Sequence, residues 1–172
     1  MTKYATTFGS STITEDTIEY KEGVLIGRKL SKSGYSVKCG GYQGLMEAIS
    51  KGVYQDGGEC IGMALEAFET IRPENTYLTK KIVHKTMFDR LKALIEGSEL
   101  FIVQRGSLGT INEAMMVWTL LYVDLLKKKS RLCFIGKEWK HCINPKNMLI
   151  DEKLFELIEF YDTAEDFLET VN

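Results

Sequence analysis

The chain has few prolines and cysteines and no long apolar run. Only two prolines occur among 172 residues, and no proline-rich or low-complexity linker is recognisable. The four cysteines are scattered without a CxxC pair, which argues against both a disulfide framework and a zinc site. No apolar run approaches the ~20 residues of a membrane span, and the N-terminal residues lack the apolar stretch of a signal peptide. We therefore expect one domain over residues 1–172 in the cytoplasm, with no membrane contact and no metal.

Neither sign of charge dominates the sequence. The 22 basic and 24 acidic residues give a net charge of −2, and they are mixed along the chain. Nucleic-acid-binding modules usually carry a basic patch, so no nucleic-acid partner is expected. The hydrophobic content of 44% is typical of a globular domain that buries a full core.

Short apolar runs alternate with helical patterns along the chain. Strands are predicted at 4–8, 35–39, 59–63, 81–83, 100–103 and 131–135. Helices are predicted at 15–33, 45–54, 86–96, 110–126, 149–160 and 164–171, and residues 64–68 are compatible with a short helix. Repeated strand–helix units indicate an α/β fold, a doubly wound parallel sheet with helices on both faces.

Three turns of small residues each follow a predicted strand, at 9–12, 40–44 and 106–110. Because ligands in such folds bind at the carboxyl ends of the strands, we expect these turns to converge on one cleft. The candidate ligand-binding residues in the first two turns are Gly9, Ser10, Ser11, Gly40, Gly41 and Gly44. Their glycines allow close backbone approach to a ligand, although a helix cap at 9–12 and helix–strand packing at 40–44 would explain them equally well.

The strongest single motif is the segment Gly106-Ser-Leu-Gly-Thr-Ile-Asn-Glu113. It lies between an apolar strand and a helix, so backbone N–H groups and a helix dipole point at one place that suits a phosphate. The phosphate-binding candidates here are Gly106, Ser107, Gly109 and Thr110. Glu113 follows about one turn into the helix, where it either caps the helix or acts on the group attached to the phosphate.

Several motifs together resemble the Lonely-guy (LOG) or "lysine decarboxylase-like" family and the related molybdenum-cofactor carrier proteins. The resemblance covers residues 5 to about 140. It rests on Phe8-Gly-Ser-Ser11, Leu30-x-x-x-Gly34, Gly40-Gly-Tyr-Gln-Gly-Leu-Met-Glu-Ala48, Gly57-Gly58, Ile61-Gly62, Met87-Phe-Asp-Arg90, Ser98-Glu99 and Gly106-x-x-Gly-Thr-x-x-Glu113.

The resemblance implies a Rossmann-like nucleotide-binding domain, usually a homodimer, that needs no metal or other cofactor. It implies hydrolysis of the N-glycosidic bond of a nucleoside 5′-monophosphate such as AMP, giving free base and ribose 5-phosphate. Arg90 and Glu113 match the family's catalytic pair. Met46, within the matching 40–48 motif, is a further ligand-binding candidate, although its apolar surroundings also suit core or a dimer interface. Taken alone, Arg90 would be read as a solvated arginine. Lysine decarboxylation, which the family label suggests, would need pyridoxal phosphate and a lysine in a recognisable supporting context, which this sequence lacks.

One motif departs from the family pattern. The family's Pro-Gly-Gly is Arg105-Gly106-Ser107 here, so Arg105 either adds charge to a phosphate site or blocks it. Two functions remain open: a nucleotide phosphoribohydrolase, or a protein that binds a nucleotide or the molybdenum cofactor without turnover. A homodimer is expected, partly through residues 115–126, since apolar side chains surround more than one face of that segment.

Overall fold

Seven parallel strands form one sheet at the centre of the protein. The computed structural model describes residues 2–172. The strands are β1 (Lys3–Phe8), β2 (Tyr35–Cys39), β3 (Cys60–Leu65), β4 (Lys80–His84), β5 (Ser98–Val103), β6 (Arg131–Ile135) and β7 (Glu159–Tyr161). Their order is β4-β3-β2-β1-β5-β6-β7, and every neighbouring pair is parallel. The chain builds outward from β1 to β4 and then returns to β5 beside β1, which creates a switch point of the kind where α/β proteins bind ligands.

Helices cover both faces of this sheet. They are α1 (Ile18–Lys32), α2 (Leu45–Gln55), α3 (Met87–Ile95), α4 (Leu108–Tyr122), α5 (Lys137–Cys142) and α6 (Ala164–Leu168). Buried residues of α1, α2 and α6 form one core cluster on the sheet, and those of α3, α4 and α5 form another. The predicted α/β fold with helices on both faces is therefore confirmed.

Helix ends follow local sequence signals. The Thr17 hydroxyl accepts the N–H of Tyr20 at the start of α1, and the Thr163 side chain and Asp166 form a capping box at α6. Gly34, just beyond α1, adopts a φ of +79°, as expected for a glycine that ends a helix. These contacts satisfy backbone groups that a helix end leaves unpaired.

The C-terminal third differs from the sequence-based prediction. The predicted helix over 149–160 is wrong: Glu152–Leu157 forms a 3₁₀ helix and β7 follows it. Pairing with β6 makes Glu159–Tyr161 a strand instead of a helix. Cys133 lies opposite Glu159, and the guanidinium of Arg131 binds the Glu159 carboxylate at 2.7 and 2.8 Å. Helix α4 ends at Tyr122, four residues earlier than predicted, and α5 was not predicted.

Residues 64–68 divide between two elements instead of forming one short helix. β3 continues to Leu65, and a 3₁₀ turn, Glu66–Phe68, follows it. Full burial of β3 explains the continuous apolar sequence that made the strand end difficult to locate. Among residues 2–172, no helix is both long enough and apolar enough to span a bilayer.

Candidate functional site

The three small-residue turns meet at one cleft of about 200 Å³ beside the switch between β1 and β5. Ten of the thirteen candidate residues line it: Gly9, Ser10, Ser11, Gly40, Met46, Arg90, Ser107, Gly109, Thr110 and Glu113. Convergence of the turns is what their positions after parallel strands predict.

Backbone hydrogen bonds join the turns to one another. The Ser10 N–H donates to the Arg105 carbonyl at 2.9 Å, and the Ser10 carbonyl accepts the N–H of Leu45 at 2.9 Å. One residue of the first turn is thus tied both to the turn after β5 and to the start of α2. The cleft wall is therefore built before any ligand arrives.

The other three candidate glycines support the cleft without lining it. Gly44 has a φ of +76°, and a Cβ there would overlap the backbone of Ser10 and Ser11. A Cβ on Gly106 would collide with the side chain of Thr110. Gly41 has a φ of +84°, and its added Cβ would lie 3.2 Å from Gly62. These glycines allow the turns to pack closely.

The N-terminus of α4 forms one end of the cleft. The N–H groups of residues 108–110 have no acceptor within the helix, no side chain caps this end, and its first turn carries no acidic residue. Gly109 faces open space, with no atom within 4 Å of an added Cβ. A 15-residue helix with free N–H groups and a positive dipole end favours an anion at this position.

Arg90 is fixed by backbone acceptors rather than solvated. Its Nε donates to the Met63 carbonyl at 2.7 Å and its Nη2 to the Gly40 carbonyl at 3.4 Å, and the residue is 7% exposed. A Cβ on Gly40 would overlap the Arg90 guanidinium and the Met46 sulfur. Gly40 therefore leaves the space in which the guanidinium lies.

Glu113 projects from α4 toward this guanidinium. Its Oε1 lies 3.5 Å from Arg90 Nη1, and its side chain is 13% exposed. Burial of the carboxyl raises the pKa of Glu113 to about 7, and the positive charge of Arg90 offsets part of that rise. The helix-capping interpretation of Glu113 is wrong, because α4 begins at Leu108 after Ser107 and no side chain caps it.

A third group of lining residues was not found from the sequence. Tyr42, Phe68 and Arg72 close the end of the cleft nearest β3. The Tyr42 hydroxyl donates to the Leu65 carbonyl at 3.0 Å and accepts the Leu65 N–H at 2.8 Å, which holds its ring in place. Thr7, Phe8 and Met87 also line the cleft. Tyr42 lies inside a turn already singled out, but no sequence signal connects Arg72 to the site.

Arg105, at the departure from the family pattern, points away from the cleft. Its Nη1 binds Glu19 Oε1 at 2.7 Å, and its side chain lines a separate cavity between α1 and the turn after β6. Ser107 adopts a φ of −121°, which is open to any residue, so glycine is not required there. The altered turn thus leaves the anion end of the cleft unobstructed.

Within residues 2–172, no group of three or more His, Cys, Asp or Glu side chains is placed to hold a metal ion. Glu113 is the one carboxylate among the cleft residues described above. The chemical groups of this cleft are therefore one carboxyl group, the guanidinium groups of Arg90 and Arg72, hydroxyls and a helix N-terminus.

This fold and cleft define a Rossmann-like α/β domain with a ligand cleft at the switch in strand order. The sequence matches the model of the SLOG cluster4 family over residues 3–140. The chain belongs to that family, which confirms the resemblance drawn from its motifs. Among curated proteins, no sequence matches the chain.

Several solved structures share the fold at low sequence identity. The X-ray structure of TM1055 superposes with a TM-score of 0.73 at 20% identity, covering 97% of this chain and 96% of that one. The molybdenum cofactor binding protein of the phototrophic bacterium Rippkaea orientalis gives 0.72 at 16% identity, with coverage of 98% and 94%. The molybdenum cofactor carrier protein of Chlamydomonas reinhardtii gives 0.69 at 17% identity, with coverage of 98% and 96%. These likenesses establish the fold of almost the whole chain.

Proposed function

We propose that this protein hydrolyses the N-glycosidic bond of a nucleoside 5′-monophosphate to release the free base and ribose 5-phosphate. The observation that carries the proposal is Glu113, a carboxyl group with a pKa of about 7 in the same cleft as an uncapped helix N-terminus. A proton acceptor is most effective when its pKa lies near the working pH. The nearby helix end supplies an anchor for the 5′-phosphate.

The cleft offers a place for each part of the substrate. The 5′-phosphate lies at the start of α4, where the N–H groups of residues 108–110 and the Thr110 hydroxyl face it. The ribose lies beside the Arg90–Glu113 pair, and the base extends toward Tyr42 at the β3 side. The proposed order is supported by the residues that line the cleft and by the strand order β5-β1-β2-β3.

The reaction needs one bond broken and one formed at the ribose. The C1′–N bond breaks with its electron pair passing to the base, which takes up a proton, while a water oxygen bonds to C1′. Ionised Glu113 accepts the proton from that water and stabilises the positive charge that develops on the ribose. This proton then passes, directly or through solvent, to the departing base, which restores the carboxylate. Arg90, held by Met63 and Gly40, positions the carboxylate through its 3.5 Å contact.

Binding without turnover is the alternative function. It is favoured by the names of two structural neighbours, a molybdenum cofactor binding protein and a molybdenum cofactor carrier protein. In that case, the cleft would hold a phosphorylated ligand, and Glu113 would contact it without transferring a proton.

The deciding experiment is incubation of the purified protein with AMP, GMP, CMP, UMP and IMP, followed by quantification of free base and ribose 5-phosphate. Release by the wild type that disappears in Glu113→Gln, with nucleotide binding retained, supports hydrolysis. Saturable binding without release in any incubation would instead favour the binding protein. Full activity in Glu113→Gln would remove this carboxyl group from the mechanism.

We also propose a homodimer in the cytoplasm. Apolar side chains of α3, α4 and the turn after α4 lie exposed along one surface: Phe88 is 85% exposed, Leu125 71% and Met116 40%. With Leu91 and Leu120, they line a groove. A second copy covering this groove would remove a contiguous apolar surface from water. Trp118, within the segment expected to form the interface, is not available to a second copy. It is buried in its own protomer and donates to the Leu154 carbonyl at 2.9 Å.

A further inference from the structure

We propose that Arg72 is the residue that selects the base, and that it favours the 6-oxopurine nucleotides GMP and IMP over AMP. This inference rests on the proposed use of the cleft by a nucleoside 5′-monophosphate. It adds a substrate class and a specificity-determining residue to that function.

The Arg72 guanidinium lies over two aromatic rings at the β3 end of the cleft. Its guanidinium carbon is 4.5 Å from the centre of the Phe68 ring and 5.5 Å from that of Tyr42. The Phe68 and Tyr42 rings pack edge to face with centroids 5.9 Å apart. Cation–π contacts hold a guanidinium beside a ring without hydrogen bonds to protein acceptors, so the N–H donors of Arg72 are not consumed by these contacts.

Those donors have no acceptor in the protein. Within residues 2–172, the Arg72 side chain makes no hydrogen bond or ion pair, whereas its backbone N–H donates to the Phe68 carbonyl at 3.0 Å. Glu69, three residues before Arg72, is bound to Lys81 Nζ at 2.8 Å, and Glu74, two residues after Arg72, is not paired with it either. A positive, planar donor group that lines a ligand cleft without a partner is suited to a ligand that brings acceptors.

The position of Arg72 matches the base rather than the phosphate. The anion end of the cleft lies at β1 and β5, and Arg72 follows β3, two strands away from β1. Neighbouring strands are about 4.8 Å apart, so roughly 10 Å separates the two ends. With the phosphate on α4 and the ribose beside Glu113, the far edge of a two-ring base reaches the guanidinium.

The donor pattern of a guanidinium distinguishes among purines. Guanine presents two adjacent acceptors, O6 and N7, to which arginine binds with two hydrogen bonds. Hypoxanthine carries the same pair. Adenine offers N7 beside an N6 amino group, which is itself a donor, so one of the two guanidinium donors would face another donor.

Equilibrium binding to Glu113→Gln tests this selectivity without turnover. GMP, IMP, AMP and CMP are titrated into Glu113→Gln and into the double variants that add Arg72→Gln or Arg72→Lys. We expect GMP and IMP to bind the single variant at least about tenfold more tightly than AMP or CMP. Arg72→Gln should reduce that ratio to within about threefold while leaving AMP affinity unchanged. Arg72→Lys should also reduce it, because lysine keeps the charge but lacks the planar fork.

Arg105→Gln in the Glu113→Gln background is the matched control, since Arg105 binds Glu19 outside the cleft and its loss should not change the ratio. Equal binding of GMP and AMP, a preference for AMP or CMP, or a ratio that survives Arg72→Gln would overturn the proposal. Selective binding with no base release by the wild type would refute the hydrolase function and leave the role of Arg72 in selectivity standing. Base release at equal rates from all nucleotides would support the hydrolase and refute the role of Arg72.

Discussion

Arg90 Nη1 and Glu113 Oε1 lie 3.5 Å apart in a cleft that leaves each side chain little exposed, 9% and 13% respectively. The contact is long for a charge-assisted hydrogen bond, and the short bond of Arg90 is the 2.7 Å one to the Met63 carbonyl. Arg90 is therefore held by the backbone, and Glu113 meets a fixed positive charge without being fully neutralised by it. This arrangement explains why burial dominates the pKa of Glu113.

The rate of nucleotide hydrolysis should depend on ionised Glu113. Because its pKa is about 7, kcat/KM should fall about tenfold per pH unit below pH 7 and level off above it. A pH series from 5 to 9 measures this profile. Substrate phosphate also titrates, near pH 6, so nucleotide binding to Glu113→Gln over the same range serves as the control. A flat kcat/KM across pH 5 to 9 would contradict the assignment of Glu113 as the proton acceptor.

Glu113 should also make folding stability depend on pH. The folded protein holds this proton up to about pH 7, whereas an ordinary glutamate releases it near 4.5. The favourable contribution is therefore complete below pH 4.5 and is lost as pH rises through 7. Relative to wild type, Glu113→Gln should gain about 2 kcal/mol of unfolding free energy between pH 5 and pH 8.5. Urea unfolding at both pH values measures the difference, and parallel pH dependence in the two proteins would refute it.

Removal of the Thr110 hydroxyl should weaken phosphate binding. Thr110 is 4% exposed and lines the cleft at the start of α4. Loss of one hydrogen bond to a charged group costs about 1.5 kcal/mol, so Thr110→Val should raise KM about tenfold with little change in kcat. Steady-state kinetics provide the test. Thr119→Val is the matched control on the same helix, because the Thr119 hydroxyl donates to the Met115 carbonyl outside the cleft. Equal KM values in the two variants would place the phosphate elsewhere.

Substitution of Phe88 should dissociate the proposed homodimer. This side chain is 85% exposed on α3, so Phe88→Asp should leave the fold intact while placing a charge in an apolar interface. Light scattering at micromolar concentration should show a dimer for the wild type and a monomer for the variant. Leu25→Asp is the control, since Leu25 is exposed on α1 and that helix packs on the opposite sheet face. A monomeric wild type would rule out this interface.

The sequence was most informative where glycine and hydroxyl residues follow strands. Parallel strands bring their carboxyl ends together, so the positions of the turns at 9–12, 40–44 and 106–110 along the chain were enough to assign them to one cleft. The partner of Glu113 was found from the family motif rather than from local pattern. Taken alone, Arg90 resembles any solvated arginine, because its acceptors on Met63 and Gly40 are distant in sequence.

The sequence was least informative where tertiary pairing decides the structure. Residues 154–160 place apolar side chains at intervals that suit a helix, a 3₁₀ helix or a strand, and pairing with β6 selects the strand. Arg72 is harder still to assign, because its role depends on stacking against Tyr42 and Phe68. Phe68 is four residues before Arg72 and Tyr42 is thirty, and no recognisable sequence motif links either ring to Arg72.

The segment between β3 and β4 is anchored by the buried side chain of Asn75. Its Nδ2 donates to the Tyr42 carbonyl at 3.1 Å, and its Oδ1 accepts the Tyr77 N–H at 3.1 Å. Arg72 belongs to this segment, whereas Glu113 and the proposed anion-binding helix end belong to α4. Because these parts come from separate stretches of chain, mutation within 66–74 can alter what the cleft recognises while its reactive centre stays the same. Evolution, or an engineer, can therefore change the ligand preference of this fold by rewriting one short connection.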